Sequence, residues 1–375
     1  ILADKTIDSM FAAQFHSCAL ADGKVYCWGY NNAGQLGNGR SGTGVYSSVP
    51  VEVGGALRGK VVTAIGGSAN TSCAIADGKI YCWGENYRGT LGIGSRTGSS
   101  TPMLIRGGVM NGVASGLPTN YTATALSTSG SRSYNMCAIA DRKAYCWGQT
   151  VAGQLGNGFI PASNPNDNEP ETYSTVPVAV VGLDGLNVTS ISQDGYFSGL
   201  NSVERGMYTH VCAVASGQAY CWGNSYYGQA GLSRSRWSTN YYVSTPRRVT
   251  LPAAIQNDSV VSIEVGLYHS CLLTSTNKVY CMGYNSTGQL GINDSSTNMS
   301  ATLLPVTVGS QGIPSNETVV SIAAGANRGC AVTAQGRTYC WGLNDGGQIG
   351  DGTKINRFNP TESLFLRPTK NRYIY

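Results

Sequence analysis

The sequence predicts an all-β fold, a β-propeller of six four-stranded blades with one disulfide in each blade; seven blades is the alternative. Three observations favour this fold. One phrase recurs six times, each recurrence offers about four short strands, and the chain is rich in glycine (50 residues) and tyrosine (22) with only 12% charged residues. Such a composition suits tight turns, whereas helical bundles need long periodic runs of helix-forming residues. A repeat array accounts for all 375 residues as a single domain.

The recurring phrase reads SCALADGKVYCWGYNNAGQLG in its first copy. The six copies span residues 17–37, 72–92, 136–156, 211–231, 270–291 and 329–350. An apolar stretch precedes each copy, and a strand predicted to start at a proline follows it, at Pro50, Pro102, Pro177, Pro246, Pro305 and Pro360. The repeats therefore fall at about 5–54, 60–106, 120–182, 187–250, 259–308 and 318–366. We expect the last strand (about 359–366) to lie beside the first (5–12) and close the ring.

All twelve cysteines lie inside this phrase, two in each copy. Between Cys18 and Cys27, the Asp22-Gly23 pair is a strong signal for a two-residue type I′ hairpin turn. Counting outward from that turn places the cysteines opposite each other at a non-hydrogen-bonded pair, where Cα atoms are about 4.5 Å apart and a disulfide can form. The predicted disulfides are Cys18–Cys27, Cys73–Cys82, Cys137–Cys146, Cys212–Cys221, Cys271–Cys281 and Cys330–Cys340.

Copies five and six test this pairing, because each has one extra residue between its cysteines. A three-residue turn absorbs the extra residue, and its last residue, Asn277 or Gly336, tolerates the left-handed conformation that such a turn needs. The alternatives are buried free thiols or zinc sites, but zinc needs four ligands that usually include C-x₂₋₄-C pairs. Disulfides predict an oxidising compartment, and we expect the protein at the cell surface or outside the cell.

Alternation along the first hairpin places Leu20, Val25 and the disulfide on one face, and Ala19, Tyr26 and Trp28 on the other. Both faces are apolar, so each sheet needs a neighbour on each side. The tryptophan position is therefore predicted to pack between blades; its residues are Trp28, Trp83, Trp147, Trp222, Met282 and Trp341. A glycine six residues later indicates a turn with positive φ or a close backbone approach. Its residues are Gly34, Gly89, Gly153, Gly228, Gly288 and Gly347.

The phrase resembles the repeat of the regulator of chromosome condensation family, H-S-x-A-L, a turn, V-Y-x-W-G and then N-x-x-G-Q-L-G. The resemblance covers almost the whole chain and implies a β-propeller, usually of seven blades. Nuclear members of that family exchange nucleotides on a small GTPase and bind chromatin. Paired cysteines do not suit a reducing nucleus, so the likeness extends to fold rather than exchange activity. The cysteine-rich version looks more like exported bacterial members.

Several function classes find little support in the sequence. The net charge is +5 without a concentrated basic run, which does not favour nucleic-acid binding. We find no transmembrane segment. His16, His210 and His269 match the H-S position and are interpreted as structural hydrogen-bonding residues. Carboxylates and amides at 164–171 lack EF-hand spacing. No nucleophile elbow or zinc motif occurs, so we expect no catalytic residue, metal or cofactor, and no enzyme activity.

Loops on blades three and four are the most informative departures from the repeat. Aromatic and arginine side chains among serine, glycine and asparagine are typical of recognition surfaces, although the same loops could simply pack on their neighbours. The candidate binding residues are Tyr196, Phe197, Arg205, Tyr208, Tyr226, Tyr227, Arg236, Trp237, Tyr241 and Tyr242. They predict a non-catalytic interaction or adhesion module that binds a protein partner. The alternatives are self-association as a subunit of an extracellular filament, and glycan binding.

Overall fold

The computed structural model describes residues 2–110, 112–129, 133–161, 172–195, 208–232 and 241–364. In this part of the chain, six antiparallel sheets of four strands each form six blades, as predicted. The four strands of every blade are consecutive in sequence and hydrogen-bonded in that same order. The first strands of neighbouring blades contact each other, so they are the innermost strands of the propeller.

The strands are named in chain order. Blade one contains β1 (Ile7–Ala12), β2 (His16–Ala21), β3 (Lys24–Tyr30) and β4 (Tyr46–Glu52); blade two contains β5 (Val62–Ser68), β6 (Thr71–Ala76), β7 (Lys79–Gly84) and β8 (Ser99–Leu104). A small hairpin, β9 (Val109–Met110) and β10 (Val113–Ala114), follows blade two. Blade three contains β11 (Ala123–Leu126), β12 (Asn135–Ala140), β13 (Lys143–Gln149) and β14 (Tyr173–Ala179).

The second half repeats the same plan. Blade four contains β15 (Val188–Asp194), β16 (His210–Ala215), β17 (Gln218–Asn224) and β18 (Tyr242–Arg248). Blade five contains β19 (Val260–Val265), β20 (His269–Thr274), β21 (Val279–Tyr284) and β22 (Met299–Pro305); blade six contains β23 (Val319–Gly325), β24 (Arg328–Thr333), β25 (Thr338–Gly342) and β26 (Arg357–Glu362). Short 3₁₀ turns at Gly55–Leu57 and Ala253–Ile255 lead from blades one and four towards the next blade.

The central hairpin of each blade has the predicted register. Cys18 lies directly opposite Cys27, and both turn residues, Asp22 and Gly23, have the positive φ of a type I′ turn. In blade five the turn is one residue longer, Asn277 has a φ of 62°, and the cysteines again lie opposite each other. All six predicted pairs are at bonding distance, with Cα atoms 4.1 Å apart. The described residues include no free cysteine.

The fourth strand of each blade begins before its proline, which corrects the expectation of proline-started strands. In blade one, β4 begins at Tyr46, and its register against β3 shifts between Ser47 and Val51, so that Pro50 lies in the irregular segment. The same shift surrounds the proline in blades two, three, four and six. Proline has no N–H for a ladder, so a bulge on an outer strand accommodates it without losing a hydrogen bond.

Neighbouring blades pack face to face, and one core cluster lies at each of five junctions. Between blades one and two, the cluster joins Leu20 and Val25 to Tyr81 and Trp83. Equivalent clusters lie at the four following junctions. The predicted packing role of the tryptophans is therefore confirmed for these junctions, since each blade presents its disulfide face to the aromatic face of the next.

A recurring hydrogen bond joins the two neighbouring blades at four of these five junctions. The indole N–H donates to a backbone carbonyl in the loop of the preceding blade, at 2.8–3.0 Å. The four pairs are Trp83 to Gln35, Trp147 to Thr90, Trp222 to Gln154 and Trp341 to Gln289. In blade five, Met282 is fully buried in the same place. The indole N–H groups thus pair with loop carbonyls at the junctions, and the Gln35 carbonyl also accepts a hydrogen bond from the Ser72 hydroxyl at 2.9 Å.

The glycine that follows each tryptophan by six residues brings its loop against the next blade. Gly228 has a φ of 83°, and a Cβ there would lie 2.7 Å from the Ala301 Cα of blade five. Gly34, Gly89, Gly153 and Gly288 make the same close approach. Gly347 keeps the positive φ, but the nearest atom to a Cβ there would be the Thr353 carbonyl of its own blade, 3.7 Å away.

The outer flanks of blades one and six differ from the other blade faces. Trp28 is partly exposed, unlike the other four tryptophans of this position, which are fully buried. Cys330 and Val332, on the face of blade six that points away from blade five, are also partly exposed. The expectation that the last strand lies beside the first is wrong. β26 pairs with β25, and β1 pairs with β2, because short hairpins complete each blade from its own repeat.

Candidate recognition site on blades four and five

Seven tyrosines from blades four and five meet at one end of the propeller, where the loops between first and second strands emerge. We call this set the tyrosine surface. Its members are Tyr208, Tyr226, Tyr227, Tyr241, Tyr242, Tyr268 and Tyr284, and each is partly exposed. Five of the seven were predicted as binding residues from the sequence. Tyr196, Phe197, Arg205, Arg236 and Trp237 lie outside the described residues.

The rings form one continuous network. Tyr227 is central: its ring centroid lies 4.5 Å from that of Tyr284, 4.8 Å from Tyr226, 5.2 Å from Tyr268 and 5.8 Å from Tyr208. Most neighbouring rings meet edge to face, the arrangement that aromatic quadrupoles favour. The Tyr208–Tyr227 pair is instead stacked, with an interplanar angle of 28°.

The network extends across blade four at its outer side. Tyr226 contacts Tyr241 edge to face at 5.2 Å, and Tyr241 contacts Tyr242 at 4.7 Å. Tyr242 pairs with Asn224 in the β17–β18 ladder, and the Ser225 N–H donates to the Tyr241 carbonyl at 2.8 Å. The outer tyrosines are therefore held by backbone pairing as well as by ring contacts.

Buried polar side chains set the position of the loop that carries Tyr226 and Tyr227. Asn224 Oδ1 accepts a hydrogen bond from the Tyr226 N–H, and Gln229 Oε1 accepts one from the Tyr227 N–H, both at 2.8 Å. Gln229 Nε2 also donates to Asn224 Oδ1 at 3.2 Å. Both amides are buried. Because side-chain to backbone bonds of this kind define a single loop conformation, the two tyrosines are presented in a fixed orientation.

A hydrogen-bonded relay fastens blade four to blade five beneath the tyrosine surface. The Ser270 hydroxyl donates to the Gln229 carbonyl at 2.9 Å, and therefore accepts from Nε2 of neutral His210 at 2.8 Å. Burial lowers the pKa of His210 to about 3. His269 lies one blade further on, and its Nε2 donates to the Arg328 carbonyl at 3.2 Å. The histidines thus hold blades together, as the sequence predicts for the H-S position.

The electrostatic character of the tyrosine surface is neutral. Burial, followed by the neighbouring tyrosines, raises the pKa of Tyr227. Burial and the adjacent Tyr241 raise the pKa of Tyr242 in the same way. The hydroxyls of Tyr227 and Tyr242 therefore remain protonated throughout the physiological range and can donate hydrogen bonds. The surface offers apolar ring faces and neutral hydroxyl groups rather than charge.

Tyr268 and Tyr284 were missed from the sequence, although a signal for them exists. Tyr268 immediately precedes His269, and Tyr284 follows the glycine of the M-G pair in blade five. In blades one to five the loop after the third strand reaches the next blade, as Gly228 shows by its approach to Ala301. Applying this rule to Tyr227 would have predicted an aromatic partner in blade five, because Tyr284 lies under that loop.

A second aromatic cluster occupies the equivalent position between blades two and three. Arg88 lies over the Tyr87 and Tyr134 rings at 5.2 Å, and Arg96 lies 4.9 Å from the Tyr87 ring centroid and 4.8 Å from that of Tyr173. Tyr87 and Arg88 occupy the repeat positions of Tyr226 and Tyr227. This junction therefore carries cationic side chains stacked on aromatic rings where blades four and five carry tyrosines alone.

The described residues contain neither a membrane-spanning helix nor a cluster of three potential metal ligands. No helix in them is long and apolar enough to cross a bilayer. No three histidine, cysteine, aspartate or glutamate side chains in the same ranges are grouped to hold a metal ion.

The fold and the tyrosine surface define a repeat β-propeller with an aromatic patch at one end. Sequence profiles described as "Regulator of chromosome condensation (RCC1) repeat" match residues 22–75, 77–116, 216–273, 276–332 and 335–371, and a second profile of the same description matches 260–289 and 319–348. The chain belongs to the regulator of chromosome condensation repeat family.

Individual relatives agree with this assignment. The chain is 28% identical over 351 residues to the human E3 ubiquitin-protein ligase HERC2, covering 93% of this chain but 6% of HERC2. It is 26% identical to the Arabidopsis thaliana ultraviolet-B receptor UVR8, covering 90% of this chain and 64% of UVR8. The chain therefore spans less than two thirds of each of these relatives.

Solved structures share the fold. Human WBSCR16 superposes with a TM-score of 0.74 at 19% identity, covering 96% of this chain and 82% of that protein. Yeast RCC1 (Prp20), solved bound to Kap60, superposes with a TM-score of 0.70 at 22% identity, covering 95% and 74% of the two chains. At these identities the likeness concerns the fold alone.

Proposed function

We propose that this chain is a non-catalytic protein-interaction module that binds its partner through the tyrosine surface of blades four and five, in an oxidising compartment. The observation that carries the proposal is the convergence of seven partly exposed tyrosines on a loop held by Asn224 and Gln229. Tyrosine provides large contact area at low conformational cost and is enriched where proteins bind each other. A rigid platform also lowers the entropic cost of binding.

The family supports the same class of function. Yeast RCC1 (Prp20) is described in complex with Kap60, and a second structure is described together with its binding to Gsp1p and histones. These partners are specific to that protein, but they illustrate a propeller that works by binding other proteins. Six cysteine pairs at bonding distance support an extracellular or cell-surface location, since such pairs persist where thiols are oxidised.

Partner capture from the native source tests the proposal. Immobilised wild-type protein is compared with a Tyr227→Ala, Tyr268→Ala double variant and with a matched Tyr30→Ala, Tyr46→Ala control in blade one, where the two side chains are 58% and 71% exposed. We expect the double variant alone to lose the captured partner. Retention of the same partner by the double variant, with an unchanged circular dichroism spectrum, would contradict the proposed site.

Self-association as a filament subunit is a second candidate, favoured by the outer flanks of blades one and six. Trp28 and Val332 are partly exposed on the two kinds of face that pack together at the other junctions. Head-to-tail contact of such unlike faces builds open assemblies. Sedimentation velocity over a wide concentration range tests this candidate. Oligomers that grow with concentration in the wild-type protein and are lost in Trp28→Glu support it. A wild-type protein that stays monomeric at the highest concentration counts against it.

A further inference from the structure

The tyrosine surface combines two chemical properties that restrict its ligand, and the inference from them rests on the proposed function. Its ring faces are apolar, and the hydroxyls of Tyr227 and Tyr242 are neutral donors because burial raises their pKa values. All seven members are tyrosines, so the surface itself includes no acidic or basic residue. Ligands recognised chiefly by charge, such as phosphates or acidic peptides, therefore find no counterion among these side chains.

The rings are set at different angles to one another, so the surface is uneven rather than a flat plate. Tyr208 and Tyr227 lie nearly parallel, with an interplanar angle of 28°, while Tyr268 stands nearly perpendicular to Tyr208, at 87° and 5.1 Å. Tyr226 likewise stands edge to face with both Tyr227 and Tyr241. Rings that meet at steep angles present both faces and edges at the surface, and side chains with a compact apolar ring can pack against them.

Polyproline II segments have the complementary chemistry. A polyproline II helix has three residues per turn and no internal hydrogen bonds, so its carbonyl groups point outward and need donors. Its pyrrolidine rings pack on aromatic side chains, and its low flexibility reduces the entropy lost on binding. Tyrosine satisfies both requirements, because the ring packs against proline and the hydroxyl donates to a carbonyl.

We propose that the tyrosine surface binds an extended, proline-rich segment of its protein partner in the polyproline II conformation. Tyr227 lies at the centre of this surface, since its ring contacts four of the other tyrosines, and its loss would disturb the whole ring network. Tyr241 and Tyr242 lengthen the surface along blade four, as an extended peptide requires.

A labelled decaproline peptide is the probe, with a glycine-serine peptide of equal length as its control, and fluorescence anisotropy measures binding to the full chain. We expect decaproline to bind and the glycine-serine peptide to bind at least tenfold more weakly. Tyr227→Ala is expected to weaken decaproline binding by at least tenfold. Tyr227→Phe, which keeps the ring and removes one donor, is expected to weaken it about two- to tenfold. Tyr46→Ala in blade one is the matched control and should leave binding unchanged.

The variants also separate this inference from the proposed function. Tyr284→Phe gives a second conservative test should Tyr227→Ala fail to fold, and we expect it too to weaken decaproline binding. Equal affinity for both peptides, or decaproline binding that survives Tyr227→Ala in folded protein, overturns the inference. If the tyrosine double variant loses the native partner while decaproline does not bind, the proposed function stands and the proline-rich ligand is wrong. Tyrosine-dependent binding of chitohexaose in place of decaproline would also overturn it.

Discussion

Replacing Trp222 with alanine should cost much more stability than the same change at Trp28, although the two residues occupy the same repeat position. Trp222 is fully buried between blades three and four, and its indole N–H donates to the Gln154 carbonyl at 2.9 Å. Removing a buried tryptophan leaves a large cavity and costs about 3–5 kcal/mol. The Gln154 carbonyl also loses its partner, which places the expected cost towards the upper end of that range.

Trp28 faces the outer flank of blade one, where it is partly exposed. Its replacement by alanine removes less apolar contact and no indole hydrogen bond within the described residues, so we expect a cost of about 1–2 kcal/mol. Trp222→Met provides an intermediate case, because methionine is the natural residue at the equivalent position of blade five. There Met282 is completely buried. We expect methionine to recover part of the stability that alanine loses.

Urea unfolding of the disulfide-intact protein, followed by far-ultraviolet circular dichroism, measures these costs. The slope of the free energy of unfolding against denaturant must stay the same across the variants for the midpoints to be compared. Equal losses at Trp28 and Trp222 would refute the reasoning, because they would mean that the face of blade one is covered as fully as the other blade faces.

Three further predictions follow from the hairpins, the histidines and the loop glycines. Thiol titration of the native protein under non-reducing denaturing conditions should find no free thiol, and each disulfide removed should cost about 2–3 kcal/mol; a titre of twelve thiols would contradict the assigned pairs. Burial lowers the pKa of His210 from 6.5 to about 3, so the unfolded chain binds more protons between these values and stability should fall as pH decreases from 6.5 towards 3. His210→Asn, which copies Asn135 of blade three, should flatten that decline; unfolding midpoints at pH 7, 5.5 and 4 that decline as steeply as those of the wild type would count against it. Gly228→Ala should destabilise more than Gly347→Ala, since only the former places a Cβ 2.7 Å from the next blade; equal melting temperatures would argue otherwise.

The central hairpin is the element for which sequence alone was sufficient. Three local features set the register of β2 against β3: the Asp22-Gly23 turn, the alternation of apolar residues, and the equal number of residues from the turn to each cysteine. The longer turn of blade five was readable for the same reason, because Asn277 adopts the left-handed conformation within the turn itself. Disulfide pairing across a two- or three-residue turn requires no knowledge of distant contacts.

The fourth strand and the ring ends depended on information outside the repeat. Pro50 was expected to start a strand, but the strand begins at Tyr46 and accommodates the proline in a bulge against β3. The last strand was expected beside the first, yet β26 completes its own blade. Both errors concern which neighbouring strand a segment pairs with. The available partner strands decide that pairing, and the β-strand preference of the individual residues does not reveal it.

By itself, the sequence determined the repeat, the blade count, the paired cysteines and the faces that blades present to each other, because turn chemistry and the two-residue period of a strand act over a few residues. Tertiary structure alone decided which side chains meet across blades. Tyr268 and Tyr284 join Tyr227 only because the Gly228 loop crosses to blade five, and Trp28 differs from Trp222 only in what lies beside its blade. Contacts between repeats depend on how whole sheets stack, and identical local sequence does not distinguish an inner junction from an outer flank.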